Sequence, residues 1–307
     1  MIRTDEARRI SLLVPCFNAV RFLPRLRTQV DRLTTPFDEV ILVDDASSDE
    51  TFRNAVNLGF RIKRLETNRG PGGARNALAQ IASCEWIHFH DVDDELDPDY
   101  VQKVHDCLNG DVDLLLHQTD FVDELDRTPI IRWSPDPIEL ERSPEVCLLR
   151  HPLPTMCSCI RLQMFLKVGG FNEQRRCFED GDLHFRLALK GARCRSIQEV
   201  LETSLRSDTG AGADQNYCFK CRTEFLEDYE TTCPPTLRFE IAREAERTAI
   251  KLLRFNNPEW ANRALQICQR STYRVPSSNR ILMRLLRRWV SPLTLLRWQD
   301  RFRSLHF

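Results

Sequence analysis

The chain has 307 residues, 42% hydrophobic and 29% charged, with 44 basic side chains against 45 acidic ones. That length allows about two domains with a sizeable core, and the composition excludes disordered and collagen-like chains. Balanced charge argues against wholesale nucleic-acid binding, and no apolar run approaches the roughly 20 residues that a bilayer span needs.

No apolar segment of the secretory type follows Met1, so a leader peptide is not expected. The 12 cysteines are scattered. Cys16, Cys84, Cys107 and Cys268 lie in apolar patterns and act as small hydrophobes, which suits a reducing, cytoplasmic setting.

In chain order, Ile10–Cys16 predicts a strand and Arg21–Leu33 a helix. Asp38–Val43 is a second strand, and Ser48 is placed to cap a helix over Asp49–Leu58. Phe60–Leu65 is a third strand, Gly72–Ala82 a helix and Glu85–His90 a fourth strand. Pro98–Leu108 is helical, and Val112–His117 is a fifth strand. The apolar runs are continuous, so the strands are covered on both faces. Strands alternating with helices point to an α/β fold with a mostly parallel sheet. The stretch Asp120–Arg150 carries Pro129, Pro135, Pro137 and Pro144 and is expected to be irregular.

After the small-residue stretch Thr209–Ala213 the strand patterns stop. Phe219–Tyr229, Leu237–Phe255 and Glu259–Gln269 are helical patterns separated by prolines. We therefore expect two parts, residues 1–214 and a helical region 215–307. Within the latter, Arg280–Phe307 holds seven arginines and one acid, Asp300. Ile281, Leu282, Leu285, Leu286, Trp289 and Val290 form an apolar face bordered by arginines. Such a helix either lies on an anionic membrane surface, through residues 280–303, or packs on the protein or a second copy; amphipathicity alone does not separate the two, and packing is the commoner outcome.

Ligands of open α/β sheets bind beyond the carboxyl ends of the strands. The first strand ends in Pro15-Cys16-Phe17-Asn18, the second in Asp44-Asp45-Ala46-Ser47-Ser48-Asp49, and the fourth in His90-Asp91-Val92-Asp93-Asp94. In an extended segment, Asp91 and Asp93 project to one side. That pair suits a hard divalent ion such as Mg²⁺ or Mn²⁺ that also holds phosphates. Asp-rich turns account for the same residues without an ion. Between the clusters lies Asn68-Arg69-Gly70-Pro71-Gly72-Gly73-Ala74-Arg75-Asn76. Its glycines allow close backbone approach, and Arg69 or Arg75 is suited to a diphosphate.

These motifs, in this order, resemble the family 2 glycosyltransferases, inverting enzymes of the GT-A fold. Gly169-Gly170-Phe171-Asn172-Glu173 and Phe178-Glu179-Asp180-Gly181-Asp182 resemble that family's acceptor-side segment. The likeness covers Ile10–Ser207. It implies a GT-A-type domain that uses a nucleoside-diphosphate sugar, by analogy a UDP-sugar, and a glycan or lipid-linked hydroxyl acceptor of the kind met in polysaccharide biosynthesis. It assigns Asp93 to the metal, Asp91 to ribose and metal, and Asp45 to the nucleotide base, with Pro15 and Phe17 as the wall of that pocket. It assigns Asp180 to the general base and Glu179 to a supporting role. Many relatives carry a His after the last core strand. Here the stretch is Leu205–Gly210 without His, so Asp208 as an oxygen ligand or Arg206 on phosphate stands in its place.

Two other functions fit the architecture. A sugar nucleotidyltransferase needs a glycine-rich first loop, which Pro15–Asn18 lacks. A non-catalytic protein on a degenerate transferase fold has no use for Asp45, Asp91, Asp93 and Asp180 together. For Asp180 the structural alternative is an N-cap of a helix Gly181–Lys190. Cys218 and Cys221 have zinc-like spacing but no second pair, so unpaired helical cysteines are expected. Cys157 and Cys159 are expected on one side of a strand, and His90 in packing or a backbone bond.

Overall fold

The computed structural model describes residues 8–108, 111–206, 214–271 and 293–294. The chain divides into two compact units, Met1–Gly210 and Ala211–Phe307.

The first unit opens with the expected alternation: β1 (Ile10–Cys16), α1 (Leu23–Asp31), β2 (Glu39–Asp44), α2 (Thr51–Asn57), β3 (Arg61–Arg64), α3 (Gly70–Ile81) and β4 (Trp86–Phe89). It continues through β5 (Glu95–Leu96), α4 (Tyr100–Cys107), β6 (Leu114–Asp123), β7 (Pro129–Trp133), α5 (Pro137–Arg142) and α6 (Pro144–Arg150). Last come β8 (Ser158–Arg161), α7 (Leu162–Lys167), α8 (Glu179–Leu189) and β9 (Cys194–Arg206). One sheet runs β3-β2-β1-β4-β8-β6-β9-β5, with β7 on β6. Its first four strands are parallel, as are β6 and β9, while β8, β7 and β5 run antiparallel to their neighbours.

Strand alternation divides the core in two. Leu13, Ile41, Ile87 and Phe89 face Ala74, Ala77 and Leu78 of α3 and Leu183 and Leu187 of α8. Leu12, Val14, Leu42 and Trp86 face Leu23 and Leu26 of α1 and Tyr100, Val101 and Val104 of α4. Both faces of the central strands are buried, which accounts for their unbroken apolar runs.

Several local expectations are corrected. β3 is a short edge strand whose charged residues stay exposed, a common protection of sheet edges. Asp49, not Ser48, receives the amide of Thr51 at the start of α2. The stretch 120–150 is not irregular: β6 runs on into a hairpin with β7, and two helices follow. Pro137 and Pro144 occupy first helical positions, where proline needs no amide partner, and Asp136 caps α5 by accepting from Ile138 and Glu139 at 2.9 and 3.1 Å. Cys157 and Cys159 lie in opposite cores, because Cys157 ends a single 3-10 turn before β8 begins.

The second unit contains α9 (Gln215–Thr232), α10 (Arg238–Arg254) and α11 (Pro258–Arg270). Phe225, Leu226, Ile241, Ala245, Leu252, Ala264 and Leu265 are buried there. Asp214 and Asn257 cap α9 and α11. Cys218 and Cys221 both lie on α9, and among the described residues neither joins a metal-type group. The basic segment 280–303 lies outside the described residues apart from 293–294. No described helix is long and apolar enough to cross a membrane.

Candidate active site

The ends of β1 and β2 are tied together by the motif residues themselves. Asn18 and Ala46 adopt left-handed backbones, with φ of 49° and 60°. Asn18 donates its amide to Ser47 Oγ at 2.9 Å and accepts the amide of Ser48 at 2.9 Å. Thr51 Oγ1 accepts from the amide of Ala19 at 2.7 Å and donates to Asp49. Asp44 is buried, receives the amide of Ser47 at 3.0 Å and pairs with Arg64 at 3.3 Å.

Asp45 projects from the end of β2 onto the start of α3. Its two carboxylate oxygens accept the amides of Arg69 at 2.7 Å and Gly70 at 2.8 Å. Gly70 has a φ of 76°, open to glycine at no steric cost. A carboxylate offers about four lone-pair sites, so these amides leave two over, on a residue that is only 3% exposed. Phe17, next to Asp45's end of the sheet, leaves 53% of its surface exposed, while Pro15 is half-buried in β1.

Arg75 lies on α3, facing inward. Its guanidinium pairs with Asp91 at 2.7 Å, Glu179 at 3.3 Å and Asp180 at 3.6 Å. Burial opposes its charge, but these three carboxylates outweigh it and hold the proton more firmly than usual. The expected diphosphate ligand is thus already engaged with acids from the turn after β4 and from α8.

The Asp91–Asp94 segment is a turn, not the extended run expected, with the amide of Asp94 on the carbonyl of Asp91 at 3.0 Å. Asp94 is drawn inward because its carboxylate accepts the amide of Leu205 on β9 at 2.8 Å. Asp93 stays half-buried, and Arg25 donates to its main-chain oxygen. Burial, then the charge of Asp91, raises the Asp93 pKa above the usual range, and burial with Asp91 and Asp93 raises that of Asp94 further. Oxygen donors carrying mutual repulsion fit a hard divalent cation. Asp91 and Asp93 could hold one.

Glu179 and Asp180 open α8. The residue before the helix is Phe178 at φ 68°, with no side-chain cap, so Asp180 sits inside the first turn and is not an N-cap. Thr155 Oγ1 donates to Asp180, which keeps 24% side-chain exposure. Burial, then Asp180, pushes the Glu179 carboxyl up to about 7 against the pull of Arg75. The loop that leads from α7 to α8 is tied to α3 through Asn76, whose amide group exchanges hydrogen bonds with the backbone of Phe171 at 3.0 and 2.8 Å.

Behind the Asp turn lies Glu202 on β9. It accepts from His88 at 2.7 Å and His90 at 2.9 Å. Burial opposes its charge, yet the two imidazoles hold its pKa at about 2. Among the described residues these three form a group close enough to hold a metal ion. Glu202 was not legible in the sequence, because the run Gln198-Glu199-Val200-Leu201-Glu202-Thr203 carries no strand signature. Arg206 lies 4.6 Å over the ring of Phe121, and Asp208 is outside the described residues.

Three comparisons bear on this geometry. The family described as Glycosyl transferase family 2 matches residues 11–165. The chain belongs to that family. A protein of Haemophilus influenzae named as an uncharacterized glycosyltransferase is 30% identical over 185 residues, covering 58% of this chain and 61% of its own. The poly(ribitol-phosphate) β-N-acetylglucosaminyltransferase TarS of Staphylococcus aureus is 27% identical over 201 residues, covering 60% of this chain and 30% of its own. The family 2 chain therefore spans under two thirds of either relative. In solved structures, a mannosyltransferase of Pyrobaculum calidifontis in complex with GDP-Man and Mn²⁺ aligns at a TM-score of 0.60 and 16% identity, over 97% of this chain and 81% of its own. TarS 1–349 in complex with UDP-GlcNAc aligns at 0.57 and 17%, over 88% and 95%. These likenesses carry the fold, a GT-A-type α/β domain with a mostly parallel sheet. Helices make up the described C-terminal region.

Proposed function

We propose that this family 2 member transfers a sugar from a nucleoside-diphosphate donor to a hydroxyl acceptor in one inverting displacement. The observation that carries the reading is Arg75, which joins the donor-side carboxylate Asp91 to the acceptor-side Asp180 in one charge cluster. Donor-handling and proton-accepting groups thus lie on either side of one guanidinium, close enough for an in-line transfer.

Asp45, Pro15 and Phe17 hold the nucleoside, Phe17 by its exposed ring. Asp91 and Asp93 hold Mn²⁺ or Mg²⁺, which supplies charge neutralisation for the leaving diphosphate. Asp180 takes the acceptor's proton while the acceptor oxygen bonds to the anomeric carbon and the carbon–phosphate-oxygen bond breaks. Thr155 orients the receiving carboxylate. Arg75 keeps Asp91 and Asp180 from repelling each other before the ligands arrive. A UDP-sugar is the favoured donor and a glycan or lipid-linked hydroxyl the acceptor. The TarS complex with UDP-GlcNAc supports the donor class.

The test combines thermal shift with turnover. UDP with Mn²⁺ is expected to raise the melting temperature of the wild type by linkage. Asp180→Asn is expected to keep that shift and lose about 10²- to 10⁴-fold in transfer, the usual weight of a general base. Unchanged turnover in the variant removes Asp180 from the role, and no nucleotide response with or without Mn²⁺ removes the donor reading.

A further inference from the structure

The Asp91–Asp94 turn is anchored at both ends by one residue that touches none of the reacting groups assigned above. On the β4 side, His88 and His90 stand two residues apart and project to the same face. Both reach the same oxygen of Glu202, at 2.7 and 2.9 Å. On the far side of the turn, β5 pairs with β9, placing Leu96 opposite Glu202. Leu201 and Leu205 add main-chain contacts, the first accepting the amide of Asp97 at 2.9 Å and the second donating to Asp94 at 2.8 Å. All three side chains of the cluster are buried, at 0% exposure for each histidine and 1% for Glu202.

The hydrogen bonding favours a clamp over a second metal site. His88 has Nδ1 on the carbonyl of Ser158 at 3.0 Å and Nε2 on Glu202. Both ring nitrogens are therefore already taken by oxygens within this cluster, Nδ1 by a main-chain carbonyl and Nε2 by the carboxylate. Ligand distances of about 2.0–2.2 Å would also hold the nitrogen and oxygen atoms about 3.3 Å apart in a tetrahedral site, farther than the contacts here.

We infer that Glu202 is a positioning residue: by gripping β4 through the two histidines and β5 through strand pairing, it fixes the turn that presents Asp91 and Asp93 to the diphosphate and its cation. The inference rests on the donor reading above for its functional consequence, whereas its structural half stands alone.

The experiment compares wild type with Glu202→Gln on the full chain, below the melting point of both. Hydrogen exchange at the Asp94 amide is expected to speed up at least tenfold in the variant, and the Mn²⁺ concentration for half-maximal UDP binding to rise about tenfold. Unchanged exchange overturns the clamp. Faster exchange with unchanged Mn²⁺ dependence, in a wild type that binds UDP, also overturns it, because a purely stabilising role would do that. A wild type that binds no nucleotide with Mn²⁺ fails the donor reading instead, and the exchange result still decides the clamp. If Glu202→Gln does not fold, His88→Asn removes one of the two grips and is read the same way.

Discussion

Arg75 and Asp91 meet at 2.7 Å, joining α3 to the turn that follows β4. The same guanidinium reaches Glu179 and Asp180 on α8, so one buried cation holds acids from two separate chain segments. Three carboxylates in such a space repel one another strongly, and the cation makes their assembly possible.

Replacing Arg75 tests that role directly. Arg75→Met keeps the length and apolar stem but strands the three acids. Breaking a buried pair costs about 3–5 kcal/mol. With Asp91 about a third exposed, screening brings the expected loss to about 2–3 kcal/mol. Urea unfolding measures it, and kcat/KM is expected to fall by at least 10²-fold. Arg75→Lys is expected to recover part of the stability and little of the activity, since a single ammonium does not reproduce the fork. Full activity in the lysine variant would show that charge alone suffices.

Glu179 gives the site a pH signature. Its carboxyl titrates at about 7 when folded against an ordinary 4.5, from burial and the adjacent Asp180. Between those values the folded chain binds the extra proton. Its stabilising contribution is therefore complete below pH 4.5 and is lost as pH rises through about 7. The expected loss is on the order of 2 kcal/mol. Glu179→Gln is neutral throughout, so its stability should fall less than that of the wild type between pH 5 and 7.5. Parallel unfolding curves across that range would rule this out.

How far the sequence revealed these features depended on whether a signal was local. Strands β1, β2 and β4 are legible because their centres are buried on both faces and mostly apolar, as in Leu12–Val14 and Ile41–Val43. Asp91 and Asp93 were found as a pair, but their turn was not, because it depends on Leu205 more than a hundred residues away. β9 escaped notice since its length pairs with β6 while its sequence is polar and alternation is broken by the register shift near His117. The helices α5 and α6 were hidden by prolines that begin them, although Asp136 before Pro137 was a readable cap. The sequence suits Arg75 to a phosphate, and its binding to acids follows only from how α3 packs against α8 and the turn after β4.

The last expectation concerns Asp93 and the cation. Burial and the neighbouring Asp91 raise the Asp93 pKa in the folded chain, so in the absence of metal it retains its proton to higher pH than an ordinary aspartate. A divalent ion binds the ionised carboxylate and must displace that proton. Apparent Mn²⁺ affinity should therefore increase as pH rises above the ordinary value of 3.8. The sign for stability is linked. Without metal, the raised pKa makes this residue's contribution decline with rising pH, and bound Mn²⁺ reverses the decline by pairing the charge. The melting-temperature gain from Mn²⁺ should be larger at pH 7.5 than at pH 5. Calorimetry in two buffers of different ionisation heat should detect proton release in the wild type at the lower pH. Asp93→Asn should abolish both the release and most of the affinity. Proton release that persists in the variant would assign the titration to Asp94, whose pKa is raised by the same charges.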